Sequence, residues 1–181
     1  MTVTLNIKSV SDTDLYRLFG EVIMFRNLLR KNKEISREEC IELLTSETRG
    51  ILSVNGDDGY PYGMPMNHYY NADDGCIYFH CGKNGHRVDS LKTSDKVSFC
   101  VCEKGTREEG EWAYDVRSVI VFGRVEIVDS LDLIIDITAR LCYKFTNDSE
   151  YIKEEIKNHA DKTMLLKLVP EHICGKRVKE A

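Results

Sequence analysis

No run of apolar residues in this chain approaches the ~20 that a membrane span needs. The opening Met1-Thr2-Val3-Thr4-Leu5 carries neither a basic stretch nor a long apolar core, so no secretory leader is expected. G-x-G-x-x-G and G-x-x-x-x-G-K-[ST] are both missing, which leaves a dinucleotide-binding βαβ unit or a P-loop without support. The seven cysteines include no C-x-x-C, and no paired histidines accompany them, so no metal site is expected. Thiols in a reducing cytoplasm are the default for such a chain, and the expected location is the cytosol. Basic residues do not dominate either. The 25 Lys and Arg face 30 Asp and Glu, a net charge of −5, which argues against a nucleic-acid partner. One local phosphate site remains open, because a few residues can build it.

What is present is an ordinary globular chain of 181 residues, enough for one domain with a real core. Leu15, Leu18, Phe19, Val22 and Ile23 recur at helical spacing. Ser36-Arg37-Glu38-Glu39 has the form of a capping box, followed by apolar Cys40, Ile41 and Leu44. From Gly50 the period becomes alternating. Strands are expected at Gly50–Val54, Tyr62–Tyr70, Cys76–Cys81, Val97–Cys102, Arg117–Val128 (the longest) and Thr163–Val169. Pro61 and Pro65 suggest that the second of these lies at an edge or a bulge. A short helix is expected before Lys92. Another carries Leu131, Ile134, Ile135, Thr138, Leu141, Cys142 and Phe145, and a third spans Ser149–Ala160. The cysteines read as small buried residues, with Cys100 and Cys102 on one strand face. Strands without regular β-α-β alternation indicate a mainly β, α+β chain, a closed or partly closed barrel with flanking helices. Residues 1–23 form an extension with a candidate amphipathic helix, and 24–181 the domain.

Two segments could carry chemistry. His80-Cys81-Gly82-Lys83-Asn84-Gly85-His86-Arg87 lies where a strand gives way to a helix. The first N–H groups of a helix lack internal partners, and its dipole is positive there. Two glycines and three basic side chains at that point suit a phosphate. A solvated polar connection fits the same spacing equally well. The second segment, Met64-Pro65-Met66-Asn67-His68-Tyr69, could border a flat heterocycle. His68 is the candidate for catalysis, although a single histidine is more often a hydrogen-bonded structural residue.

Several motifs in order resemble one family. They are Met24–Lys31, Asp57-Asp58-Gly59-Tyr60-Pro61-Tyr62-Gly63-Met64-Pro65, Ile77-Tyr78-Phe79-His80 and Gly85-His86-Arg87-Val88-Asp89. Val97–Val101, Arg117–Arg124 and Gly175-Lys176-Arg177 continue the series. The pattern is similar to the nitroimidazole-resistance branch of the FMN-binding split-barrel, pyridoxamine-phosphate-oxidase-like superfamily. The resemblance implies a split β-barrel that forms a homodimer with FMN at the subunit interface. It puts the phosphate near Lys83, His86 and Arg87, and the isoalloxazine along Met64–Tyr69 and His80-Cys81. Arg117 and Ser118 would come from the second subunit. Cys81 stands where many relatives carry Ser or Thr. The implied activity is an oxidoreductase passing electrons from a reduced nicotinamide or another donor to a small acceptor, with a nitroaromatic as one candidate. Its rivals are a flavin-binding or redox-sensing module without turnover, and a haem-binding barrel using His68 or His80.

Overall fold

The computed structural model describes residues 25–180, so the helix expected over Leu15–Ile23 lies outside the described residues. The capping box forms as expected. The Glu39 N–H donates to Ser36 Oγ at 3.2 Å, and the Ser36 N–H donates to Glu39 Oε2 at 3.0 Å. That closure starts helix α1 (Arg37–Ser46), which buries Cys40, Leu43 and Leu44. Ser36→Ala should cost about 1 kcal/mol in urea unfolding, because it leaves the Glu39 N–H without its side-chain acceptor.

Seven antiparallel strands follow: β1 (Arg49–Asn55), β2 (Pro61–Asn67), β3 (Tyr69–Asn71), β4 (Cys76–Gly82), β5 (Lys96–Cys102), β6 (Tyr114–Val128) and β7 (Thr163–Glu180). Their order in the sheet is β2-β1-β5-β6-β7-β4-β3, which makes β2, with its two prolines, an edge strand. The helices are α2 (His86–Thr93), α3 (Leu131–Cys142) and α4 (Ser149–His159). The curved sheet with flanking helices is a split β-barrel. No described helix is long and apolar enough to cross a membrane.

Alternation explains the core. Leu52, Val54, Val97, Phe99, Val101, Val119 and Val121 point into one cluster, joined by Ile77 and Phe79 of β4. The opposite face of β4 is also buried. Cys76 and Tyr78 pack with Leu165 beneath Ile134 and Ile137 of α3. The apolar stripe expected on α3 is therefore rotated: Ile137 is buried, whereas Leu131, Ile135 and Phe145 are exposed. Alternation along β6 would put Ile127 on the same face as Val119, Val121 and Val125, yet Ile127 is exposed. The cysteines are also less uniform than expected. Cys40 and Cys76 are buried, Cys81, Cys100, Cys142 and Cys174 are half-buried, and Cys102 is exposed.

The largest departure concerns β7, which runs far past its expected end at Val169 to Glu180 and is the longest strand, ahead of β6. Pro170 has no N–H to give a ladder, so it reads as a stop. The ladder accommodates it with a bulge: Gly123 pairs with Pro170 and Phe122 with His172, leaving Glu171 as the extra residue. Gly123 allows this approach, since a Cβ there would sit 2.1 Å from the Val169 carbonyl oxygen. Gly123→Ala should destabilise the protein by about 1–3 kcal/mol, read as a lower urea midpoint at unchanged m-value.

Candidate functional site

The loop after β4 turns into α2 at Gly85, whose φ of 115° suits glycine and whose N-cap position offers no side-chain acceptor to the first helical N–H groups. Arg87 lies in this first turn. Its Nη1 donates to Met66 Sδ at 2.8 Å, and its Nε is buried without a hydrogen-bond partner among the described residues. A thioether is a weak acceptor, so the guanidinium charge is left uncompensated. Lys83 is close to this turn in sequence, and its Nζ donates to the Asp161 carbonyl at 2.5 Å. A neutral carbonyl leaves that ammonium charge unspent as well. His86 is engaged elsewhere: its ring stacks on Tyr62 at 4.2 Å, and its Nε2 lies 3.4 Å from Asp57 Oδ2.

Beside Arg87 runs an open groove of about 350 Å³ lined by Arg49, Pro65, Met66, Asn67 and His80. Four of these five were legible as candidates. Arg49 was not, because it enters through register: it pairs with Asn67 across β1 and β2 and donates from Nε to Asn67 Oδ1 at 3.0 Å. Burial and the Arg87 charge hold the His80 imidazole below its ordinary pKa. Burial raises the Cys81 thiol, and Arg87 opposes that shift.

The other candidates lie apart from this groove. Met64 is buried in the core. Tyr69 is half-buried and packs against the cluster beneath α3. His68 has no exposed surface. Its Nε2 lies 2.8 Å from the Leu44 carbonyl, which can only accept, so that nitrogen carries the proton. Its Nδ1 has no partner among the described residues, and its ring meets Phe99 edge-on at 4.9 Å. This is the position of a core residue tying β2 to the end of α1, out of reach of a reacting surface.

Arg117 is held by carboxylates. Its Nε and Nη2 donate to Glu103 at 2.9–3.2 Å, and its Nη1 to Glu42 Oε2 at 3.2 Å. Hydrogen bonding to Glu103 keeps the guanidinium even more firmly protonated than usual. Ser118 pairs with Cys102 and Lys176. Met66, which Arg87 touches, pairs with Gly50, whose neighbour Ile51 pairs with Cys100. Arg117 and Ser118 therefore lie toward the same end of the sheet as the groove but three strands across from β2, about 14 Å at the usual strand spacing. Arg117 is committed to Glu103 and Glu42 and does not line the groove.

The sequence model described as pyridoxamine 5′-phosphate oxidase matches residues 36–177. No curated protein matches the chain in sequence. Among solved structures, a candidate 5-nitroimidazole antibiotic resistance protein from Bacteroides thetaiotaomicron superposes with a TM-score of 0.66 at 18% identity, covering 80% of this chain and 86% of its own. The flavocytochrome Anf3 from Azotobacter vinelandii gives 0.69 at 14% identity, covering 85% and 73%. An FAD-binding protein from Mesorhizobium loti gives 0.57 at 20%, covering 81% and 98%. At these identities the likeness is one of fold.

Proposed function

The chain belongs to the pyridoxamine 5′-phosphate oxidase family, and on that premise we propose that it is a flavoprotein holding FMN in the groove beside Arg87. The observation that carries this reading is the Arg87 guanidinium at the start of an uncapped helix, desolvated at Nε and facing, among the described residues, the Met66 and Cys81 sulfurs and no carboxylate. A partly buried cation whose Nε is cut off from water gains from a ligand that supplies the opposite charge. A phosphate does so, with Lys83 and the first N–H groups of α2 completing the cradle. Pro65, Met66, Asn67 and His80 then border the ring, and Arg49 fixes the Asn67 amide. Two of the solved neighbours are flavin proteins by name, which supports a flavin as the cofactor.

Bound FMN supplies the redox chemistry, and the proposed activity moves electrons from a reduced nicotinamide or another donor to a small acceptor such as a nitroaromatic. The protein's part is to hold the phosphate, orient the ring and keep His80 neutral beside it. The assembly proposed is a homodimer in the cytosol, with Arg117 and Ser118 of a second copy approaching the ring, since within one chain neither residue lines the groove. The test is purification after expression with ample flavin, followed by an absorption spectrum, the mass of the released cofactor and light scattering. FMN released from a dimer is the expected result. FAD alone, haem, or no chromophore after reconstitution would overturn the cofactor assignment, and a monomer with FMN fully bound would overturn the shared site.

A further inference from the structure

His80 has a second side. It lines the groove by Arg49 and also a separate cleft of about 260 Å³ between β4, α3 and α4. The rest of that cleft includes Thr138, Cys142, Glu155, Ile156 and His159. None of these except Thr138 and Cys142 was marked by the sequence pattern, and those two only as part of an apolar stripe.

We infer that this cleft is a binding site for a small uncharged planar ring compound bearing one hydrogen-bonding substituent. Charge is the first argument. The lining contains no Lys or Arg, and its one carboxylate, Glu155, is about half exposed and lies 3.8 Å from His159 one turn along α4. An anion therefore meets no Lys or Arg there, and the charge of Glu155 is turned largely to water, which screens it as a cation site. Desolvation and the Arg87 charge both disfavour protonation of His80 on the shared wall. Polarity is the second argument. Thr138 Oγ1 is out of contact with water and has no partner among the described residues, an unusual state for a hydroxyl that can both donate and accept. Ile156, Ala160 and Cys142 supply apolar walls. Size is the third. At about 30 Å³ of liquid volume per water, the space suits roughly nine non-hydrogen atoms. That is one six-membered ring with a short substituent, and it is too little for a whole dinucleotide. The described residues contain no cluster able to hold a metal ion, so the histidines and thiol are not read as ligands.

The site adjoins the proposed FMN groove through His80 and so deepens that reading, but its occupancy can be tested without flavin. The probe is nicotinamide, an uncharged ring with a carboxamide, titrated into the full chain while the imidazole resonances of its five histidines are followed by NMR. Saturable shifts are expected at His80 and His159 and not at His86 or His172. Ile156→Trp should abolish them by filling the cleft. Thr138→Val should weaken binding about three- to tenfold, the loss expected for one neutral hydrogen bond. No saturable shift, or shifts that survive Ile156→Trp in a folded variant, would overturn the site. If Ile156→Trp does not fold, the Thr138→Val affinity decides, and an unchanged value overturns it. The titration is repeated on flavin-free protein alone and in the presence of excess FMN. Shifts in both, with no FMN bound at any concentration, would sink the flavin reading and leave the cleft standing.

Discussion

Arg87→Ala weakens FMN binding about ten- to a hundredfold, measured by fluorescence titration of the apoprotein after circular dichroism confirms folding. The magnitude follows from the contact removed. An ionised, partly desolvated donor on a phosphate is worth roughly 1.5–3 kcal/mol, and each ~1.4 kcal/mol is a decade in affinity. Riboflavin lacks the phosphate, so its weaker binding should hardly change. Lys153→Ala is the control: that ammonium is exposed on α4, paired with Glu150 at 2.7 Å, and should leave FMN affinity alone. Equal losses for FMN and riboflavin would assign Arg87 to the ring or the fold. Unchanged FMN affinity in both Arg87→Ala and Lys83→Ala would remove this loop as the phosphate site. Lys83→Ala should have the smaller effect, because its ammonium is already partly committed to the Asp161 carbonyl.

The α2 entrance was legible because its signals are local: a strand, two glycines, basic residues and a helix within a dozen positions. The strand cores were legible for the same reason, since alternation places Val97, Phe99 and Val101 on one face without knowledge of the neighbours. What escaped depends on register and on the partner surface. Arg49 reaches the groove only because β1 pairs it with Asn67. The continuation of β7 past Pro170 depends on a bulge opposite Gly123, which no local propensity announces. The α3 stripe was misassigned because Leu131, Ile135 and Phe145 share helical spacing with the residues that are buried, and only the position of β4 decides which of them is covered. His68 was marked as a site residue by its place between Asn67 and Tyr69. Register and burial turn it inward.

That inward histidine governs the second large effect, a loss of stability in mild acid. Burial, followed by the nearby Lys144 ammonium, pushes His68 down to about 4 in the folded chain, while the hydrogen bond to Leu44 acts in the other direction. Unfolded, the same imidazole titrates near 6.5. Between these values the unfolded chain binds a proton that the folded chain refuses, so stability is complete above about pH 6.5 and falls as the pH drops toward 4. The full difference corresponds to about 3 kcal/mol at ~1.4 kcal/mol per pH decade, a large share of a typical domain's stability. Lys144 shifts in the same sense, pushed down to about 8 by burial, but it acts in another window: it adds stability as the pH rises from about 8 toward 10.5. The two can be separated by pH alone. The measurement is urea unfolding from pH 7.5 to 4.5 on the parent and on His68→Gln, whose amide can donate to the Leu44 carbonyl without titrating. Carboxylates also respond to acid, so the quantity of interest is the difference between the two slopes. His68→Gln should be less stable than the parent at pH 7.5, because its flexible amide gives up the edge-on ring contact with Phe99, and the gap should close or reverse by pH 4.5. Parallel curves across the range would show that His68 does not carry the acid sensitivity, and that its proton is accommodated in the fold.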